Sequence, residues 1–285
     1  MMGIDTSLAN AFRRIMISEI PTVAFESVEV YNNTSIIQDE VLAQRIGLVP
    51  IKVDPDVLTW YDPNAEPVVN EDGVQESLLN NFNSLRFVLN VTCERNPDAP
   101  KDCEDPAVLY KNSNVYARDL KFDPYGGQEN WVNVELLNPD ILLAKLRPKQ
   151  TIKIVAYAVL GIGADHAKFS PVATASYRLL PTIDIIGDEP IVGEQAKRFQ
   201  KCFPPGVIGI DSNGAAFVKD ARKDTVSREV LRYDEFKGRV KLGRKRDHFI
   251  FNIETTGAMQ PDEIFVKSIQ ELRCKARNLL SYDLS

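Results

Sequence analysis

Histidine and cysteine are scarce in this chain: 285 residues contain two histidines and four cysteines. Nucleophilic catalysis through a histidine base, or a metal held by imidazole and thiolate, needs such residues at close and recognisable spacing. Cys93, Cys103, Cys202 and Cys274 stand far apart, which excludes a disulfide framework and fits reduced, intracellular thiols. No apolar run approaches the roughly 20 residues of a membrane span, and the first residues lack the layout of a secretion signal. No membrane attachment is expected. An excess of positive charge is missing too: 34 lysines and arginines face 40 aspartates and glutamates, a net charge of −6. A chain that grips nucleic acid by itself needs a concentrated positive field, so any such contact is expected only indirectly, through other chains.

One segment departs from that balance. Lys237, Arg239, Lys241, Arg244, Lys245 and Arg246 form a basic cluster, read as a solvated loop between strands. Contact with an acidic partner and a nuclear import signal stay open beside that reading.

What is present reads as a folded, globular protein. Hydrophobic residues make up 44% and charged residues 26%, and the length suffices for one large domain or two ordinary ones. The first ordered stretch runs from Thr6 to Pro21, a helix of about four turns. Thr6 or Ser7 supplies a capping hydroxyl, Asp5 places negative charge at the positive end of the dipole, and Pro21 ends the run. Leu8, Phe12, Ile15 and Met16 share one face, whereas Ile17 points the other way beside Arg13 and Arg14. Two surfaces on one helix suggest contacts on two sides. Ordinary core packing explains the same periodicity and is the reading that periodicity alone favours.

Thr22 to Tyr31 follows as a strand whose alternation slips once, as one bulge would cause. Asp39 to Gly47 is a short helix with acids in its first turn. From Lys52 to about Asn83 the chain is acidic, interrupted by prolines, and read as a surface loop. Leu85, Phe87, Leu89, Val91 and Cys93 then alternate as the buried face of a strand. Val115 to Phe122 reads as another, and Thr151 to Leu160 is apolar on both faces, hence a central strand. Asp165 and His166 sit together in a turn, but no nucleophile or metal partner lies at a recognisable spacing, so a free-standing enzyme built on them is the weaker alternative. Gly161-Ile162-Gly163 does not open a helix and is not a dinucleotide loop. Ser176 to Ile186 and His248 to Glu254 read as further strands. Pro261 then opens the last helix, along which Phe265, Ile269, Leu272, Ala276 and Leu279 form a continuous stripe of about four turns.

Four separated strings, in family order along the chain, carry a resemblance that spans almost all of it. Leu8-Ala9-Asn10-Ala11-Phe12-Arg13-Arg14-Ile15-Met16 resembles the first helix of the alpha and alpha-like subunits of cellular RNA polymerases. The string from Asp39 to Ile51 and the run Phe251-Asn252-Ile253-Glu254-Thr255-Thr256-Gly257 resemble later elements of the same family. The stretch from Gly163 to Pro181, with its Ala-Thr-Ala-Ser-Tyr-Arg-Leu-Leu-Pro, is similar to the larger alpha-like subunit shared by RNA polymerases I and III.

The resemblance implies an α+β fold: a discontinuous dimerisation domain, a sheet with two helices, from residues 1–50 and 176–285, with a mainly β inserted domain over 51–175. It implies a non-catalytic assembly subunit that pairs with a smaller alpha-like subunit and seats the two large catalytic subunits, alongside small assembly subunits. The complex would make ribosomal RNA precursors, 5S RNA and tRNAs in the nucleus, nucleolus included. An alpha-like subunit of another nuclear polymerase is the alternative. Leu8, Phe12, Ile15, Met16, Phe265, Ile269, Leu272, Ala276 and Leu279 would then form the dimer interface. Arg13 and Arg14 would face a large subunit, and the loop with His166, Lys168 and Phe169 would touch a partner. Neither cofactor nor metal is expected of this chain.

Three departures matter. Archaeal relatives hold an iron–sulfur cluster near the region corresponding to 193–232, but Cys202 has no neighbouring thiol, so a cluster-free vestige is expected there. Some relatives carry zinc in the inserted domain, yet Cys93 and Cys103 lack a second close pair, with His166 as the remaining candidate. Family members also have a strand before the first helix. Its absence here predicts a sheet short of one strand with an unpaired apolar edge.

Overall fold

The computed structural model describes residues 1–65, 78–100, 105–187 and 189–282. Its first helix, α1 (Thr6–Ser18), begins one residue after Asp5, whose carboxylate accepts the Ser7 backbone N–H at 2.8 Å. The cap is therefore Asp5 and not a hydroxyl of Thr6 or Ser7. Hydrogen bonds from Ser7 also hold the Asp5 carboxyl below the usual carboxylate range.

Downstream of α1, β1 (Thr22–Asn33), α2 (Asp39–Gly47), β2 (Ser84–Thr92), β3 (Lys121–Phe122) and β4 (Thr151–Gly161) follow in sequence. The four strands form one sheet in the order β1-β4-β2-β3, every pair antiparallel. The expected central strand is β4, flanked by β1 and β2 along its length. Alternation places Ile152, Ile154, Ala156 and Ala158 on one face with Leu85, Phe87 and Leu89 beside them, all buried. Leu42 and Ile46 of α2 close over that face in the same apolar cluster. Phe25 meets Phe87 edge to face with ring centroids 5.0 Å apart, an arrangement that contributes about 0.5–1.5 kcal/mol beyond area burial. The register of β1 shifts twice, between Phe25 and Ser27 and between Val30 and Asn32, where the sequence pattern revealed one slip.

The expected strand from Val115 to Phe122 is broken. Asn114–Tyr116 pairs with Leu142–Lys145, a turn occupies Ala117–Asp119, and only β3 joins the main sheet. The Asp119 carboxylate, accepting the Tyr116 N–H at 2.8 Å, folds the chain back at that point.

In the remaining chain lie β5 (Val172–Ile185), α3 (Gly193–Lys201), β6 (Ile208–Ile210), β7 (Ala216–Val218), β8 (Val240–Thr255) and α4 (Pro261–Ser281). β5 and β8 pair with one another, as do β6 and β7. A second apolar cluster gathers Ile183, Ile191, Phe199, Phe203 and Phe236. Phe199 stacks edge to face on both Phe203 and Phe236 at 5.2 Å. The chain thus divides into two units, one of Met1–Arg13 with Ala175–Asn252 and one of Arg14–Thr174 with Ile253–Ser285. The split between Thr174 and Ala175 falls beside the expected boundary at residue 176, whereas none falls near residue 50, the first lying instead inside α1. The physical reason is β1, which pairs with β4 from Thr22–Gly161 to Asn33–Ile152 and so belongs with the central strands.

Two further expectations change. The basic cluster lies mainly on β8 and not in a loop. The edge of β8 near His248 is also not bare: the Met1 ammonium donates to the Phe249 carbonyl, Phe249 N–H to the Met1 carbonyl and Gly3 N–H to the Asp247 carbonyl, each at 2.8 Å.

Candidate partner-binding surfaces

The last helix is held by its first half and open along its second. Pro261 at its first turn lacks the N–H that would go unpaired there, and Asp262 and Glu263 complement the dipole. Ile264 and Ser268, one turn apart, are fully buried and form the inward face. Lys267 Nζ grips both Asp56 carboxylate oxygens at 3.1 and 3.0 Å, and Lys275 forms an ion pair with Glu19. The predicted stripe is displaced outward from that inward face. Phe265 and Leu272 are half-buried, Ile269 is 42% exposed, Ala276 is exposed and Leu279 is 70% exposed.

From Arg273 onward every described residue of α4 is exposed. Leu280, 86% exposed, and Tyr282 add apolar surface outside the stripe. The pair Leu279-Leu280 is the sequence signal for this, since adjacent residues on a helix cannot share one narrow face. A helical segment of under three turns, with exposed leucines and little tertiary packing, is marginal in water.

α1 is the opposite case. Phe12 is 8% exposed, Ile15 and Met16 are buried, and only Leu8 of the predicted face is open, at 44%. Phe12, Ile15 and Met16 are thus covered within the chain itself, where they orient the helix. Arg13 is half-buried and donates from Nε and Nη2 to the Asn10 side-chain carbonyl at 3.1 and 2.8 Å. Arg14 is exposed.

The loop after β4 is built around close approaches. A Cβ on Gly163 would stand 2.2 Å from the Ile17 carbonyl oxygen, and Ala164 N–H donates to the Ser18 carbonyl at 2.8 Å. Only glycine permits the loop to lie that near the end of α1. His166 is exposed, and its Nδ1 accepts the Lys168 backbone N–H at 3.1 Å, capping the turn Ala167–Phe169. Lys168 carries its ammonium inward, donating to the Phe25 carbonyl at 2.7 Å and pairing with Glu26. Glu26 is the extra residue at the first register shift of β1, so the lysine satisfies groups that the shift removes from the ladder. Phe169 is buried, and Thr22 Oγ1 donates to its carbonyl at 2.5 Å. Of the three loop residues expected at a partner surface, His166 alone is exposed; Lys168 and Phe169 hold the loop in place.

Beside this loop lies a groove of about 470 Å³, with Ile17, Leu48, Pro50, Val172 and Ala258 among its lining residues. Its walls are mainly apolar. Ile17, which the helical pattern sets apart from the rest of α1, opens into it.

Cys93 and Cys202 are buried, and burial pushes both thiols up. Cys202 Sγ donates to the Arg198 carbonyl at 3.3 Å, as a packed thiol does. Among the described residues no three histidines, cysteines, aspartates or glutamates are grouped to hold a metal, and Cys103 lies outside those residues. Asp165 and His166 have no nucleophile placed beside them by any described hydrogen bond, and the imidazole serves as a cap.

The sequence matches the model of the RNA polymerase Rpb3/Rpb11 dimerisation domain over residues 1–276. It is 62% identical over 283 residues to the Saccharomyces cerevisiae protein named DNA-directed RNA polymerases I and III subunit RPAC1, covering 98% of this chain and 82% of that one. The mouse protein of the same name is 46% identical over 286 residues, covering 98% and 79%. The Arabidopsis thaliana DNA-directed RNA polymerases IV and V subunit 3B is 31% identical over 279 residues, covering 95% and 82%. With a family match along nearly its full length, the chain belongs to the RNA polymerase Rpb3/Rpb11 dimerisation-domain family.

Proposed function

We propose that this chain is a non-catalytic assembly subunit of DNA-directed RNA polymerases I and III. It pairs with a smaller alpha-like subunit, and the pair forms the platform on which the two large catalytic subunits are seated. The observation that carries this reading is the second half of α4, where Leu279 and Leu280 stand 70% and 86% exposed on a helix with little packing of its own. Covering two such leucines contributes about 1.5–3 kcal/mol each, which supplies the missing tertiary stabilisation. The partner rests on Ile269, Leu272, Ala276 and Leu279, and Phe265 borders it. Phe12, Ile15 and Met16 act from within by fixing α1, and Leu8 is a separate exposed contact.

Arg14 and the groove lined by Ile17 suit a second neighbour, a large or small polymerase subunit. An exposed guanidinium on α1 supplies a directional contact there. Nucleotidyl transfer belongs to the complex and not to this chain. Its place of work is the nucleus, nucleolus included, where the two polymerases make ribosomal RNA precursors, 5S RNA and tRNAs.

Co-expression with the smaller alpha-like subunit, followed by size-exclusion chromatography, tests the reading. A one-to-one pair that Leu279→Asp abolishes is the expected result. A chain that elutes alone beside that subunit overturns it.

A further inference from the structure

β8 is an edge strand. Among the described residues its pairing strand is β5, and its other edge is met by Met1–Gly3 at Asp247–Phe249. The three main-chain hydrogen bonds there are evidence that this edge accepts an added strand in antiparallel sense.

Toward its start the same strand carries Lys241, Arg244, Lys245 and Arg246, all exposed. The rest of the basic cluster is engaged within the chain. Lys237 pairs with Asp234, and Arg239 donates to the Glu189 carbonyl at 2.9 Å. None of the other four has an ion pair among the described residues. The unit that holds them has 16 lysines and arginines against 12 aspartates and glutamates, so it is positive although the whole chain is negative.

Geometry decides what such a strand suits. Successive side chains on a strand point to opposite faces, so Arg244 and Arg246 stand on one face, roughly 6.6 Å apart, and Lys245 stands on the other. A nucleic-acid backbone wants its positive charges on one side. A polypeptide strand laid along the edge sends its own side chains to both faces in the same alternation, and its main chain satisfies the open edge. We infer that the basic stretch of β8 is a docking edge for an acidic, extended segment of another polypeptide. Main-chain pairing provides affinity, and carboxylates above and below the sheet provide selectivity and electrostatic steering. This surface is distinct from the exposed half of α4 and does not depend on the pairing proposed there.

Fluorescence anisotropy with the full chain tests it. The probe is a labelled peptide of about eight residues, an ordinary strand length, alternating glutamate with valine. A second peptide replaces alternate valines by proline at the same charge, and an oligothymidylate of equal charge is the nucleic-acid control. The alternating peptide is expected to bind. The proline peptide, and the variant Arg244→Ser/Lys245→Ser/Arg246→Ser, are each expected to lose at least about tenfold in affinity. Thermal denaturation of that variant should match the parent, since the changed side chains are exposed. Stronger binding of the oligonucleotide than of the peptide, indifference to proline, an unchanged affinity in the variant, or no peptide binding at all would each overturn the inference.

Discussion

The two long helices at the ends of the chain have similar sequence patterns and opposite fates. α1 turns Phe12, Ile15 and Met16 inward, whereas α4 commits only Ile264 and Ser268 and leaves Leu279 and Leu280 in solvent. Hydrophobic periodicity says that a face will be covered, and it does not say by which chain. What separates the helices is packing: α1 leads into β1 at the start of a packed sheet, and from Arg273 onward every described residue of α4 is exposed.

This contrast breaks if a charge is tolerated in α1. Phe12→Asp is expected to have the largest effect, because an unpaired carboxylate would replace a ring that is 8% exposed. Loss of the ring alone, in Phe12→Ala, should cost about 3–5 kcal/mol, read by urea denaturation. Leu279→Asp is its mirror image. Stability of the isolated chain should change by no more than about 0.5 kcal/mol, while pairing with the smaller alpha-like subunit is lost in pull-down.

Smaller effects sharpen the picture between the two helices. Gly163→Ala places a methyl 2.2 Å from the Ile17 carbonyl oxygen, so the loop must move, and a loss of about 1–3 kcal/mol is expected in thermal denaturation. Lys168→Met keeps the stem and removes the ammonium from Phe25 and Glu26; a loss of about 1–2 kcal/mol is expected, with the Gly163→Ala effect exceeding it if backbone approach dominates. The smallest effect belongs to Asp5. Its folded-state pKa is lowered by Ser7, so its contribution is complete above the ordinary carboxylate range and fades as pH falls through the folded value. Asp5→Ala should lower Tm slightly at neutral pH and not at all once the carboxyl is protonated.

Much of the fold is legible in the sequence because its central strands alternate cleanly: Leu85, Phe87 and Leu89 are buried as their spacing requires. The span of α2 follows from its acidic start and its glycine end. Three things are not legible, each for a physical reason. The partition of the chain depends on which strand β1 pairs with, a contact between residues more than a hundred positions apart. The break at Ala117–Asp119 depends on one side-chain cap that alternation hides. The inward face of α4 holds a serine, Ser268, whose hydroxyl donates to the Phe265 carbonyl at 2.6 Å, so hydrophobicity selects the neighbouring stripe instead. That same displacement leaves the apolar side chains of Ile269, Leu279 and Leu280 exposed.

Amide hydrogen exchange on the isolated chain and on its complex with the smaller alpha-like subunit tests the central claim most directly. Amides of Arg273–Ser281 should exchange rapidly in the isolated chain and become protected in the complex, while those around Phe12 to Met16 stay protected in both. Protection of Arg273–Ser281 before the partner is added, or none after it, would contradict the account.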